Sequence, residues 1–159
     1  MWKSNGLYRA SGSADMTLGM LKLSCLCGQV RIEVPTRPDF INECNCTLCS
    51  KSGARWAYFH PSEVSVVGTT KGYSREDKED PAAEIHFCAN CGSTTHFILT
   101  ASAVSKFGNS QIGVNVRLAD EKDLAGIELR YPDGRAWSGK GAFGYVQEAR
   151  IIGLWVGSE

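Results

Sequence analysis

The seven cysteines of this 159-residue chain fall into three short clusters: Cys25-Leu-Cys27-Gly28, Cys44-Asn-Cys46-Thr-Leu-Cys49 and Cys88-Ala-Asn-Cys91-Gly92. Seven divides as four plus three. Four thiolates complete a closed tetrahedral zinc site, whereas three leave the fourth position open for water or a substrate. In both C-x-C-G and C-x-x-C-G a glycine directly follows the last thiol, and glycine permits the tight turn that aims neighbouring sulfurs at one metal. Cys25, Cys27, Cys88 and Cys91 are therefore the expected structural zinc ligands, leaving Cys44, Cys46 and Cys49 as a second set. Joining cysteines so distant in sequence closes a long loop, which is where a metal clip contributes most to stability.

Three other chemistries compete for these thiols. A disulfide framework belongs to small secreted chains, and an odd cysteine count in a chain of this length fits it poorly. The C-x-x-C of Cys46 and Cys49 could exchange disulfides if neighbouring charge activated it, but that leaves Cys44 idle. All seven could also be purely structural, with no catalysis.

Length and composition narrow the class. One domain is expected, long enough to bury a core of its own. Lys plus Arg equals Asp plus Glu at 17 each, which gives no electrostatic footprint for nucleic acid. The apolar run Ile151-Ile152-Gly153-Leu154-Trp155-Val156 is far too short to span a bilayer. Residues 1–20 read as a loose extension, since Met1 to about Asp15 lack the apolar stretch of a secretory signal. A soluble, cytoplasmic protein without membrane or nucleic-acid partners is expected.

The elements that must position the thiols are mostly strands. Val30, Ile32 and Val34 alternate with Arg31 and Glu33, and Ile112, Val114, Val116 and Leu118 alternate with Gly113, Asn115 and Arg117; both patterns predict a strand with one apolar face. Ala54 to Phe59, Ile85 to Phe87 and Thr94 to Leu99 are aromatic or β-branched stretches bounded by turn residues. Helix is expected only as single turns at Pro61-Ser62-Glu63 and at Asp120 to Ala125 before Gly126. Gly68 to Gly72 and Arg75 to Asp80 read as exposed loops, Pro132-Asp133-Gly134 as a turn, and Gly139, Gly141 and Gly144 make the following stretch irregular. The fold class expected is mainly β, an antiparallel, loop-rich, zinc-pinned domain with little helix.

The order C-x-C-G, C-N-C-x-x-C-S-K-x-G, F-C-x-x-C-G resembles the glutathione-dependent formaldehyde-activating (GFA) family, which has centromere protein V as a relative. The resemblance covers about Leu21 to Gly134, with smaller matches at Trp56-Ala57-Tyr58-Phe59, Thr95-His96 and Gly113 to Leu118. It implies a β-tent-like domain over 21–134, and residues 135–159 are expected as a C-terminal segment packed on the same domain. It also implies a structural zinc on Cys25, Cys27, Cys88 and Cys91, a catalytic zinc on Cys44, Cys46 and Cys49, and so up to two zincs per chain. The implied activity is that of a carbon–sulfur lyase or synthase, combining glutathione and formaldehyde reversibly as S-hydroxymethylglutathione. Where well-known catalytic members carry a histidine, this chain has Asn45, which cannot shuttle a proton. The alternative is a zinc-stabilised binding module without catalysis.

Candidate partners for the open site follow from side-chain chemistry. Among His60, His86 and His96, His96 is the expected catalytic residue because it lies just past the third cluster in the matching Thr-His segment, although a packed strand histidine is the competing reading. Lys51, Arg55 and Arg117 could hold the carboxylates of a thiol such as glutathione, Arg with two parallel hydrogen bonds. Asn115 beside Arg117 and Trp56 as a pocket wall complete the expected substrate-binding set. Trp56, Tyr58 and Phe59 could equally be core.

Overall fold

The computed structural model describes residues 19–153. Most of the expected N-terminal extension, residues 1–18, and the end of the late apolar run, Leu154 to Val156, lie outside the described residues.

Strands β1 (Leu21–Ser24), β2 (Arg31–Val34) and β5 (Ser65–Val67) form a three-stranded antiparallel sheet in the order β1-β2-β5. The larger sheet runs β11-β10-β3-β4-β9-β8-β7-β6. Its members are β3 (Phe40–Asn42), β4 (Trp56–Phe59), β6 (Thr70–Ser74), β7 (Ala83–Cys88), β8 (Thr94–Leu99), β9 (Ile112–Asn115), β10 (Glu128–Arg130) and β11 (Arg150–Ile151). Among the described residues every strand pairing is antiparallel except that of β3 with β10. The architecture is thus mainly β, with the expected antiparallel bias.

Alternation explains how the sheets meet. Leu21, Leu23, Ile32 and Val34 turn inward from the small sheet and join Ile41, Ala57, Phe59, Ile112, Val114 and Leu129 of the large one in a single buried cluster. Polar Lys22, Arg31 and Glu33 face out, as period-two patterning requires. In the large sheet the register sorts the central side chains into two sets. Ala57, Val114, His96 and His86 share one row toward this core, whereas Tyr58, Gly113, Phe97 and Ile85 share a row on the other face. There a second cluster forms from Ala54, Trp56, Ile85 and Phe97, with Leu48 and Cys49 packed against it. A Cβ on Gly113 would stand 2.0 Å from Phe97 Cε1, so the bare backbone of β9 is what lets the Phe97 ring cross it. That ring meets Trp56 edge-on at 5.0 Å between centroids.

Four expectations need correcting. The strand predicted over Ile112 to Leu118 stops at Asn115, and Val116–Leu118 is a 3-10 turn. All four residues of β9 are buried, because the strand is covered on both faces and does not show one polar side. Gly68 to Gly72 is not a loop throughout: Thr70 onward is strand β6, paired Thr70↔Cys88 through Ser74↔Glu84. As an edge strand it buries no row, so its sequence carries no alternation. Two short helices also escape the sequence pattern. Helix α1 (Thr47–Ser52) begins at Cys46 and stops at Gly53, whose φ is 65°; helix α2 (Ala101–Phe107) is capped by the Thr100 hydroxyl and followed by Gly108. Neither has two full turns of apolar period, and only the caps of α2 announce it in sequence. The turns at Pro61–Glu63 and Glu121–Leu124 form as expected.

Candidate metal centre and thiol cleft

The first cluster is built by two tight turns brought face to face. Cys25 and Cys27 sit in the β1–β2 connection, Cys88 ends β7 and Cys91 follows in the β7–β8 turn. Gly28 and Gly92 both adopt φ of 75°, and their N–H groups donate to Cys25 O at 2.9 Å and Cys88 O at 3.0 Å. The four sulfurs lie within 4.8 Å of one another, with Cys25 and Cys27 Sγ 3.5 Å apart and Cys27 and Cys88 Sγ 3.7 Å apart. A tetrahedron with zinc–sulfur bonds of about 2.3 Å has edges of about 3.8 Å, so this donor set fits zinc. Val30 N–H donates to Cys25 Sγ at 3.2 Å, and the Ser93 hydroxyl meets Cys91 Sγ at 3.3 Å. With Ser93 as the leading cause, Cys91 is held down to about 5.

The second cluster runs from the β3–α1 connection into the first turn of α1. Cys46 N–H donates to Cys44 Sγ and Cys49 N–H to Cys46 Sγ, each at 3.4 Å. Cys46 is the N-cap of α1, so its sulfur meets a backbone N–H that the first helical turn leaves unpaired. The three sulfurs are also within 4.8 Å of one another. Hydrogen bonds from Cys44 and Cys49 hold the Cys46 thiol down to about 2, while the same contacts push Cys44 and Cys49 up. The three sulfurs form a donor set that a soft divalent cation completes by displacing their protons.

A cleft of about 380 Å³ opens beside this triad, lined among others by Glu43, Cys44, Cys49, Arg117, Tyr131 and Val146. A larger cleft of about 600 Å³, lined by Glu128, Arg130, Tyr145, Gln147, Glu148 and Ala149, contains no sulfur. Thiol chemistry therefore selects the smaller one. At its edge Glu43 accepts from two guanidiniums, Arg55 through Nε and Arg117 through a terminal nitrogen at 3.2 Å. The pair and its extra cation leave one positive charge in excess.

The predicted site residues separate in space. Arg117 lines the cleft from its 3-10 turn. Arg55 is drawn into the Glu43 pair, and Lys51 is exposed in the last turn of α1. Trp56 is buried, its Nε1 donating to Cys49 Sγ at 3.2 Å. Asn115 is buried and occupied by backbone: its Oδ1 accepts from Arg55 N–H at 3.1 Å and Arg117 N–H at 3.2 Å, and its Nδ2 donates to Thr94 O at 2.9 Å. His96 lies in the row facing the main core, opposite the face that carries Trp56 and Cys49. There it stacks on His86 at 4.6 Å between centroids and shares a 3.0 Å hydrogen bond with Thr95 Oγ1. Burial, then the neighbouring His86, lowers it to about 4. The register thus keeps His96 away from the triad.

Sequence reasoning missed Glu43, Tyr131 and Gly134. Glu43 could have been noticed as the one acid adjoining the second cluster, but Gly134 is revealed only by proximity. A Cβ there would lie 2.4 Å from Cys44 Sγ.

Two thiol clusters spaced to hold metal ions, mounted on paired mainly antiparallel sheets, define the class of protein. The chain belongs to the glutathione-dependent formaldehyde-activating enzyme family, whose model matches residues 20–126 and so includes all seven cysteines. Among solved structures it is similar to a protein of Rhodobacter sphaeroides, at 27% sequence identity and a TM-score of 0.50, over 67% of this chain and 97% of that one. The search among curated proteins returned no match.

Proposed function

We propose that this chain is a zinc-dependent enzyme of the carbon–sulfur lyase type, acting on glutathione or a related thiol and its aldehyde adduct. The observation that carries the reading is the Cys44, Cys46 and Cys49 triad opening on a cleft edged by Glu43 and Arg117. Family membership supplies glutathione and formaldehyde as the reactants to test first. Residues 21–134 and the segment that follows act as one domain in this reading.

In this reading Cys25, Cys27, Cys88 and Cys91 hold a structural zinc, and Cys44, Cys46 and Cys49 hold the second. Bound at the triad, zinc supplies a Lewis acid that polarises a carbonyl oxygen or favours the thiolate form of a bound thiol. Arg117 takes a substrate carboxylate with its fork of N–H donors, and Glu43 fixes that guanidinium at the cleft. Arg55 and Lys51 add positive potential around it. Trp56 orients Cys49, and Asn115 holds the backbone that carries both arginines. His96 has a packing role. In the synthetic direction the thiolate sulfur adds to the aldehyde carbon, the carbonyl π pair moves to oxygen, and oxygen takes up the proton that the thiol gave. Breakdown reverses these steps. Positioning accounts for most of the acceleration, since the addition also proceeds spontaneously.

The cytoplasm is the proposed compartment, because seven unpaired thiols persist best where disulfides are reduced. Among the described residues no helix is long and apolar enough to cross a membrane.

Cobalt in place of zinc makes the reading testable, because a new sulfur ligand alters the thiolate-to-metal absorption. Glutathione, cysteine and cysteamine are compared with and without formaldehyde, then with Arg117→Ala and Lys51→Ala. Support is a spectral response to glutathione, weakened by Arg117→Ala, together with adduct formation or breakdown above the uncatalysed rate. A response without accelerated chemistry rejects the substrate assignment. No response to any thiol favours the binding module.

A further inference from the structure

The family match ends at residue 126, yet part of the cleft wall comes from the chain beyond it. Tyr131 and Val146 both line the cleft, and Val146 N–H donates to Tyr131 O at 3.0 Å. Between them residues 132–145 make an excursion, closed at its neck by the Pro132–Tyr145 bridge and by Asp133 N–H donating to Gly144 O at 2.8 Å. The excursion buries little of itself: residues 135–145 are all exposed. Its attachment to the triad is therefore local and polar.

That attachment is Asn45, the residue between Cys44 and Cys46. Its Nδ2 donates to Asp133 Oδ1 at 2.7 Å, and its Oδ1 accepts from Arg135 N–H at 3.0 Å. Its backbone joins in, the N–H donating to Pro132 O at 3.3 Å and the carbonyl accepting from Arg135 Nε at 2.8 Å. Four groups of one residue thus bind one turn. At the apex of that turn Gly134 lies against the thiols, where an added Cβ would be 2.4 Å from Cys44 Sγ and 2.9 Å from Cys46 Cβ. Because Asn45 is covalently between two of the sulfurs, movement of the turn and movement of the sulfurs are coupled.

We propose that Asn45 is a positioning residue that clamps the 132–145 excursion onto the Cys44 sulfur and the Cys46 Cβ, making the excursion a fixed wall that limits exchange at the triad. A carboxylate-bearing thiol then enters from the Glu43, Arg117 and Val146 side. The inference rests on the metal reading of the triad given above, but the clamp itself is a set of hydrogen bonds within the chain with its own readout.

The test exchanges the clamp's polarity. Asn45→Asp sets a carboxylate against the Asp133 carboxylate and breaks the clamp; Asn45→Asp combined with Asp133→Asn restores a donor opposite an acceptor. Two rates are measured: transfer of second-site cobalt to a chelator, and trypsin cutting after Arg135 and Lys140. Loss of a hydrogen bond to a charged group corresponds to a change on the order of tenfold. Asn45→Asp should raise both rates by about that factor and the double exchange should return both toward the original values, while cobalt at the four-cysteine site stays put in all three proteins. Equal rates in the original and Asn45→Asp proteins, or a double exchange as fast as the single, would overturn the clamp. If the triad of the unaltered protein takes up no cobalt, the metal reading fails and trypsin cutting alone decides the clamp. Should Asn45→Asp not fold, Asp133→Ala removes the same contact from the excursion side and the same rates apply.

Discussion

The indole N–H of Trp56 points at the sulfur of Cys49 from 3.2 Å, and the buried ring meets the Phe97 ring edge-on. A donor aimed at a thiolate favours its charged form. Partners of this kind around metal ligands typically govern affinity by about 10- to 100-fold. Trp56→Phe keeps most of the apolar volume and removes the donor, so the expected outcome is a second-site metal that leaves about tenfold faster while the first site is unchanged. Chelator competition followed at both sites checks it.

The two clusters should respond differently to cysteine replacement. Cys88→Ser or Cys91→Ser would remove a ligand of the proposed first metal site, which joins the β7–β8 and β1–β2 turns, and metal binding at such a site contributes directly to folding. Folded yield is expected to fall sharply. Cys46→Ser should leave the far-ultraviolet spectrum intact and halve a two-metal stoichiometry. Equal collapse of both variants would make the second cluster structural as well.

Gly113 is expected to be intolerant of any side chain. Its added Cβ would stand 2.0 Å from Phe97 Cε1 in the middle of the large sheet, and overpacking of this sort costs about 1–3 kcal/mol. Urea unfolding of Gly113→Ala, Phe97→Leu and the pair tests it: the double variant should be more stable than the sum of the singles, since the smaller side chain relieves the clash.

Acid should weaken the fold through His96. Its unfolded value is near 6.5, and burial and then His86 lower it to about 4 in the folded protein. Between those values the unfolded chain binds more protons, so the stability that neutral His96 contributes is complete above pH 6.5 and is lost as pH falls toward 4. The loss between pH 7 and pH 5 is about 2 kcal/mol. Unfolding measured at both pH values in excess zinc should show a smaller decrease for His96→Phe. Equal decreases in the two proteins would mean that His96 does not carry it.

Much of the candidate centre was readable in one dimension because thiol chemistry is local. A glycine after each thiol pair predicts a tight turn, and Gly28 and Gly92 make those turns with positive φ. The division of seven thiols into four and three needed no coordinates. Alternation at Val30, Ile32 and Val34 likewise fixes a face, since a strand side chain can point only one way or the other. The family, too, followed from cluster order and spacing.

What only the tertiary structure decided is which face and which neighbour each remaining side chain meets. His96 and Phe97 are adjacent in sequence, yet pleating sends Phe97 to the Trp56 and Cys49 side and His96 to the core side. Arg117 escaped its predicted strand because β9 ends at Asn115, whose amide holds the backbone of the turn. Glu43 meets Arg55 and Arg117 between strand ends that are distant in sequence, and Gly134 reaches Cys44 across 90 positions of chain. Such contacts depend on strand order and on the bare backbone at a few glycines, which no local pattern of residues encodes.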